Sequence, residues 1–152
     1  YLAIFFMGCD DHSHSHHEEE HGHHTHQAPH GGELYELGEH GKGFNFELHL
    51  NDQRKLELYI LDAHAENFVR IKQKRIKITS EDDSNLSLRL DAIADSATGE
   101  TIGDTSRFQS SESVTNLLPI NGKIEEIVIG SNSYKNQLIT FSGNPRKGPH
   151  EH

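Results

Sequence analysis

The sequence has few of the residues that cross-link a small fold or fill its core with large side chains. Its 152 residues include no Trp, a single Cys, a single Met and four Pro. One Cys excludes a disulfide framework and a four-thiolate zinc site. Cations are scarce too, with 14 Lys and Arg against 24 Asp and Glu, so we predict no nucleic-acid partner. No apolar run approaches the roughly 18 residues of a membrane-spanning helix.

The shortage of apolar residues is concentrated near the start of the chain. Residues 10–30 hold nine His and five acids but only one apolar residue, Ala28. Residues 31–143 are richer, because Leu, Ile, Val and Phe make up 32 of these 113 positions. That share, about 28%, exceeds the roughly 20% below which chains are typically disordered. We therefore predict a folded domain at 31–143, a disordered tether at 9–30 and a disordered tail at 144–152.

The first nine residues suggest a lipid anchor. An apolar stretch ends at Gly8, Cys9 follows, and two acids come next. We interpret residues 1–8 as a truncated lipoprotein signal peptide. A small residue directly before a lone Cys resembles a bacterial lipobox, which implies lipid attachment at Cys9. The expected location is the cell envelope, with a membrane-anchored protein that faces the periplasm or the exterior. The alternative is a buried strand followed by a structural Cys.

The tether is the part of the sequence with the strongest chemical signal. Neutral imidazole is a good ligand for zinc, nickel and copper(II). Histidines two to four residues apart on a solvated chain converge easily on one ion. We predict divalent metal binding, zinc first and copper or nickel as alternatives, with the ligands His12, His14, His16, His17, His21, His23, His24, His26 and His30. The alternative is a low-complexity spacer without a ligand.

Protonation would change the tether strongly. With neutral histidines its five acids dominate, whereas nine imidazolium groups would reverse the sign of its charge. The change centres near the imidazole pKa of about 6.5. Metal binding would fade as the pH falls, because protons compete for the ring nitrogens. A pH-responsive switch is therefore a third, weaker functional hypothesis.

From Gly31 onward the apolar residues alternate with polar ones, which is typical of β-strands. We predict seven short strands separated by polar turns, and one helical turn at 114–118. This pattern favours a mainly β fold, an antiparallel β-sandwich of immunoglobulin-like architecture. The predicted strands centre on Leu34–Gly38, Phe44–Leu50, Leu56–Ile60, Ile76–Ile78, Leu86–Leu90, Ile124–Ile129 and Tyr134–Phe141.

Three segments of this domain support a family resemblance. They are Ala-Pro-His-Gly-Gly at 28–32, the stretch 59–71 and the stretch 98–108. Together they resemble a family of small His-rich bacterial envelope lipoproteins, planctomycete-like and without an assigned activity. The His-Gly-Gly opening is also similar to the small N-terminal domain of some heavy-metal efflux periplasmic adaptor proteins. The resemblance implies an envelope location and a metal association. The family that the sequence resembles often has a His near the start of the second strand, where this chain has Asn45.

The domain also offers candidate residues for a fixed metal site. Asp62, His64 and Glu66 are two apart, so on an extended segment their side chains would face the same way. His30 or His49 from another strand would complete a site with nitrogen and oxygen ligands. The alternative is a polar loop in which Asp62 binds its own backbone.

No residue pattern predicts catalysis. No Ser lies in a nucleophile elbow, and no pair of His resembles a hydrolytic zinc motif. We therefore predict a non-enzymatic, lipid-anchored envelope protein that binds or buffers divalent transition metal. Its partners would be the membrane, through Cys9, and a metal efflux or uptake complex. The alternative is a protein- or glycan-binding β-sandwich module in which the tether is only a spacer.

Overall fold

A computed structural model describes residues 25–143, and this part of the chain is almost entirely antiparallel β structure. The predicted mainly β fold is confirmed. A 3-10 turn at Thr115–Leu117 is the one helical element among the described residues. The strands are β1 Glu33–Leu37, β2 Phe44–Leu50, β3 Lys55–Leu61, β4 Arg75–Ser80, β5 Ser87–Ala92, β6 Arg107–Ser113, β7 Ile120–Ile129 and β8 Asn132–Phe141.

All eight strands form one hydrogen-bonded sheet in the order β1-β2-β3-β6-β5-β4-β7-β8. Every neighbouring pair is antiparallel. The sheet curls until its first and last strands meet, where the Tyr35 hydroxyl lies 2.8 Å from the carbonyl oxygen of Thr140. The two layers of the predicted sandwich are therefore halves of one continuous sheet that packs against itself.

The core lies inside this curl and consists almost entirely of aliphatic side chains and Phe. Alternate residues of each strand point inward, as the period-two pattern predicts. The largest fully buried aromatic side chains are those of Phe46, Phe108 and Phe141, from β2, β6 and β8. Strands from both halves of the sheet thus share one core, so the described residues form a single folding unit.

Strand β6 is absent from the seven strands that the sequence predicts. It connects β3 to β5 and so joins the two halves of the sheet. Its sequence, RFQSSES, contains a single apolar residue, Phe108. This segment therefore has too few apolar residues to show the alternation that is typical of a strand.

No helix within 25–143 has the length and apolar character needed to cross a membrane. The predicted signal peptide at 1–8, the lipid attachment at Cys9, residues 9–24 of the predicted tether and the tail at 144–152 lie outside the described residues. Residues 25–30 of the predicted tether are described, and they lie against the sheet, where the carboxylate of Glu47 accepts the backbone N–H of His30.

Candidate functional site

Strand β3 is buried on both faces, and its outer face is polar. Glu57 and Tyr59 point away from the core, yet they are 3% and 8% exposed. On the neighbouring strand β2, Glu47 pairs with Tyr59 and is fully buried on the same outer face. A buried carboxylate is costly unless hydrogen-bond donors surround it. The structure provides such donors by laying other parts of the chain over this face.

Residues 25–32, which we call the strap, form the first part of this cover. The backbone N–H of His30 lies 2.9 and 3.1 Å from the two carboxylate oxygens of Glu47, and the N–H of Gly32 donates to Oε1 at 3.1 Å. The His30 ring stacks on Tyr59 with 3.9 Å between ring centroids. A Cβ at Gly32 would stand 2.2 Å from the carbonyl oxygen of Leu48. Glycine is therefore required for this close approach.

A second part of the outer face is a hydrogen-bonded network around Glu57. The carboxylate accepts hydrogen bonds from the Tyr59 hydroxyl and from Arg107 Nη2, each at 2.6 Å, and from Asn51 Nδ2 at 3.1 Å. Burial alone would raise the pKa of Glu57, but these donors outweigh it and lower the pKa. Burial and the neighbouring carboxylate raise the pKa of Tyr59 well above its ordinary value. The network therefore holds Glu57 ionised and Tyr59 neutral.

His49 lies beside this network and close to the strap. Its Nδ1 is 3.5 Å from Glu57 Oε2, which is longer than an ordinary hydrogen bond. Its ring centroid lies 5.7 Å from that of His30. His30 Nδ1 in turn lies 3.3 Å from Glu47 Oε2. His30 and His49 are thus neighbours, each beside one of the buried carboxylates.

Three further imidazoles gather where β2 begins and β3 ends. The ring of His26, from the strap, lies 5.9 Å from the ring of His40 in the β1–β2 turn and 5.7 Å from the ring of His64 in the loop after β3. We call these three residues the histidine trio. The carboxylate of Glu36 contacts Nδ1 of His40. Glu66, together with His26 and His64, lines an open cleft of about 620 Å³.

The loop after β3 differs from the extended segment that would align Asp62, His64 and Glu66. The chain turns here, and Ala65 has a φ of 56°. Asp62 Oδ1 accepts the N–H groups of His64 and Glu66 at 3.3 and 2.9 Å, and Oδ2 accepts the side chain of Asn67 at 2.7 Å. Desolvation would raise the pKa of Asp62, but these bonds lower it. Its carboxylate therefore orders the loop. This is the polar loop that the sequence analysis gives as the alternative to a metal site.

Asn45 also orders this loop. It lies on β2 and is 2% exposed. Its Nδ2 donates to the carbonyl oxygens of Asp62 and Ala63 at 2.9 and 3.1 Å. The amide thus holds the loop that carries His64 against the start of β2.

All five histidines of the described residues lie on this outer face. Four of them are among the predicted ligands, but His40 is not, because a His between Glu39 and Gly41 resembles an ordinary turn residue. Within 25–143, no three His, Cys, Asp or Glu side chains already converge as the ligands of a metal ion. The remaining predicted ligands lie outside the described residues: His12, His14, His16, His17, His21, His23 and His24.

A separate apolar groove lies between the β4–β5 turn, the 3-10 turn and the start of β7. Its volume is about 250 Å³, and Leu86 and Leu117 line it with the acidic residues Asp82 and Asp83. Leu86 and Leu117 are 48% and 40% exposed. None of the five histidines within 25–143 lines this groove.

Comparison of the chain with protein-family models, with curated proteins and with solved structures finds no match. The chemistry of the residues themselves is therefore what indicates a function. The clearest chemical feature is the face where the histidines gather.

Proposed function

We propose that this chain captures and buffers divalent transition metal ions, zinc first and copper(II) or nickel as alternatives. One observation carries the proposal: every histidine within 25–143 lies on one face of the sheet, where the strap arrives from the tether. Imidazole nitrogen is the common ligand of these metals. The tether then gathers ions, and the face next to it supplies ligands of more defined position.

The proposal includes a location and a role without catalysis. A lipid on Cys9 would hold the protein at the bacterial cell envelope, as in the lipoprotein family that the sequence resembles. Two or more acyl chains are enough for stable anchoring. A metal efflux or uptake complex is the partner that this chemistry favours. The protein would supply such a complex with ions rather than transform a substrate.

The first experiment is a zinc titration of the full chain, purified without a nickel resin, at a pH of about 7.5, where ordinary imidazoles are neutral. We expect uptake of more than one equivalent. A matched variant replaces the seven histidines from His12 to His24 with Ser and leaves every described residue unchanged. Its stoichiometry should fall, because most of the tether ligands are gone. Calorimetry and a chromogenic chelator measure the two proteins in parallel.

Two results would contradict the proposal. Absence of uptake of zinc, nickel and copper(II) by the full chain would exclude it. An unchanged stoichiometry in the His-to-Ser variant would remove the tether from the mechanism. Capture of a partner from envelope extracts that is indifferent to chelator would instead favour the binding-module alternative.

A further inference from the structure

We infer that His26, His40 and His64 form a fixed site for one divalent transition metal ion, zinc first, on the folded domain itself. The inference rests on the proposed function and deepens it, because it separates one defined site from the variable binding of the tether. The three residues come from the strap, the β1–β2 turn and the loop after β3. An ion held there would join three segments that are distant in the sequence.

The distance from the His26 ring to each of the other two rings is close to the distance between two ligands of one ion. Zinc binds imidazole nitrogen at about 2.0–2.1 Å, so two rings on a tetrahedral ion have centroids roughly 5 Å apart. The His26 ring lies 5.9 Å from that of His40 and 5.7 Å from that of His64. The side chain of His40 is 64% exposed. It is therefore free of the packing that would prevent it from turning toward the other two.

Carboxylates beside the trio supply the remaining chemistry. Glu36 contacts Nδ1 of His40, and a carboxylate on one ring nitrogen orients the other nitrogen toward a metal. Glu66 lines the same open cleft as His26 and His64, so its carboxylate is available as an oxygen ligand. Three nitrogens and one oxygen suit zinc, and they also suit copper(II) and nickel.

Two of the three ligands lie on segments that the fold orders before any ion arrives, and His40 has to turn toward them. His26 belongs to the strap, which Glu47 anchors through two backbone N–H groups. His64 belongs to the loop that Asp62 orders through the N–H groups of His64 and Glu66. Ligands on ordered segments lose less conformational entropy on binding than ligands on a solvated tether. The trio should therefore bind zinc more tightly than any comparable set within the tether.

The test uses the full chain in which the seven histidines from His12 to His24 are already Ser. This protein should take up one equivalent of zinc and unfold at a higher temperature when zinc is present. His40→Ala or His64→Ala in the same background should abolish both effects. The matched control is His49→Ala, which removes an imidazole from the same face but outside the trio and should leave both effects intact.

A milder variant tests the site where the fold is least disturbed. Glu36→Gln removes only the charge that orients His40, and zinc affinity should fall about 10-fold, as for other carboxylates that support a ligating His. Its unfolding temperature without metal should match that of the background protein, because Glu36 and His40 are half-exposed or more.

The outcomes separate this inference from the proposed function. The parent chain could bind zinc while the variant without the seven histidines from His12 to His24 binds none. In that case the inference is wrong and the tether alone captures the ion. If the background binds zinc and only His49→Ala abolishes binding, the site lies elsewhere on the face, which also overturns the inference. If the parent chain binds no zinc, both proposals are wrong.

Discussion

Glu57 shows how a single buried carboxylate organises the outer face. It is 3% exposed, and its oxygens accept hydrogen bonds from Tyr59, Arg107 and Asn51. The Arg107 guanidinium also lies 5.9 Å from the centre of the Tyr59 ring, on which His30 stacks. Loss of this one charge would therefore disturb the surface on which the strap rests.

We predict that Glu57→Gln lowers the free energy of unfolding by about 1–3 kcal/mol, because it leaves buried donors with a weaker acceptor. Urea unfolding at neutral pH measures the change. The control is Glu125→Gln, which removes a carboxylate that also contacts a cation but is 48% exposed. That variant should unfold at the same urea concentration as the parent chain. An equal effect of the two substitutions would contradict the prediction.

The same comparison should depend on pH in a defined direction. Burial opposes ionisation of Glu57, but its donors lower its pKa below the ordinary value of 4.5. The stabilisation is therefore complete above pH 4.5 and is lost as the pH falls through the folded pKa of Glu57. The difference between the parent chain and Glu57→Gln should narrow over that acidic range.

At the scale of single residues, the sequence indicates ligand chemistry more readily than it indicates which residues meet. His26 and His64 stand out because one belongs to a His-rich tract and the other lies between Asp62 and Glu66. His40 does not, because its partner on the strap is 14 positions away and no local pattern connects them. Asp62 looks like a metal ligand in the sequence because His64 and Glu66 follow it at positions two and four. The same positions carry the backbone N–H groups that its carboxylate binds when it orders the loop.

At the scale of elements, the sequence predicts the strands whose inward residues are apolar. Seven of the eight strands have such a pattern, and their positions are confirmed within a few residues. Strand β6 differs because one of its buried inward positions is occupied by Ser110. The pairing of β6 with β3 changes register there, between Lys55 and Glu57. With a polar residue at an inward position, the sequence of β6 lacks the alternation of apolar and polar residues that indicates a strand.

Ser110 compensates for this irregularity through its hydroxyl. Its Oγ accepts the backbone N–H of Leu56 at 3.0 Å and donates to the carbonyl oxygen of Glu112 at 2.7 Å. The hydroxyl thus takes the place of a ladder hydrogen bond at the junction between β3 and β6. The buried Ser is an integral part of the sheet rather than a flaw in it.

We predict that Ser110→Ala destabilises the domain by about 1–3 kcal/mol, because it leaves the N–H of Leu56 buried without its acceptor. Ser111→Ala is the matched control, since Ser111 is the next residue on the same strand and is exposed. Chemical unfolding of both variants measures the difference. Faster amide exchange at Leu56 in Ser110→Ala would confirm the cause. Equal stability of the two variants would show that Ser110 is dispensable.

At the scale of the whole molecule, the curl of the sheet brings the first and last strands together. The strap enters β1 at this seam, so the site depends on the position of an edge strand. Within 25–143, β1 and β8 are the two ends of the strand order and are joined through side chains rather than through a backbone ladder. The Tyr35 hydroxyl lies 2.7 Å from Glu33 Oε2 and 2.8 Å from the carbonyl oxygen of Thr140, while Ser142 donates to Glu33 Oε1 at 3.3 Å. Glu33 itself is 4% exposed.

The seam should therefore be the least stable part of the sheet, and Tyr35→Phe tests this directly. The variant keeps the ring that stacks on Phe46 with 5.0 Å between centroids, but it removes a donor from the buried Glu33. We expect a loss of about 1–3 kcal/mol and faster amide exchange along β1 and β8 than along β3 and β6. Tyr134→Phe is the control, because its hydroxyl makes no hydrogen bond to any residue within 25–143. A uniform rise in exchange over all eight strands would mean that the sheet opens as one unit and that the seam has no stability of its own.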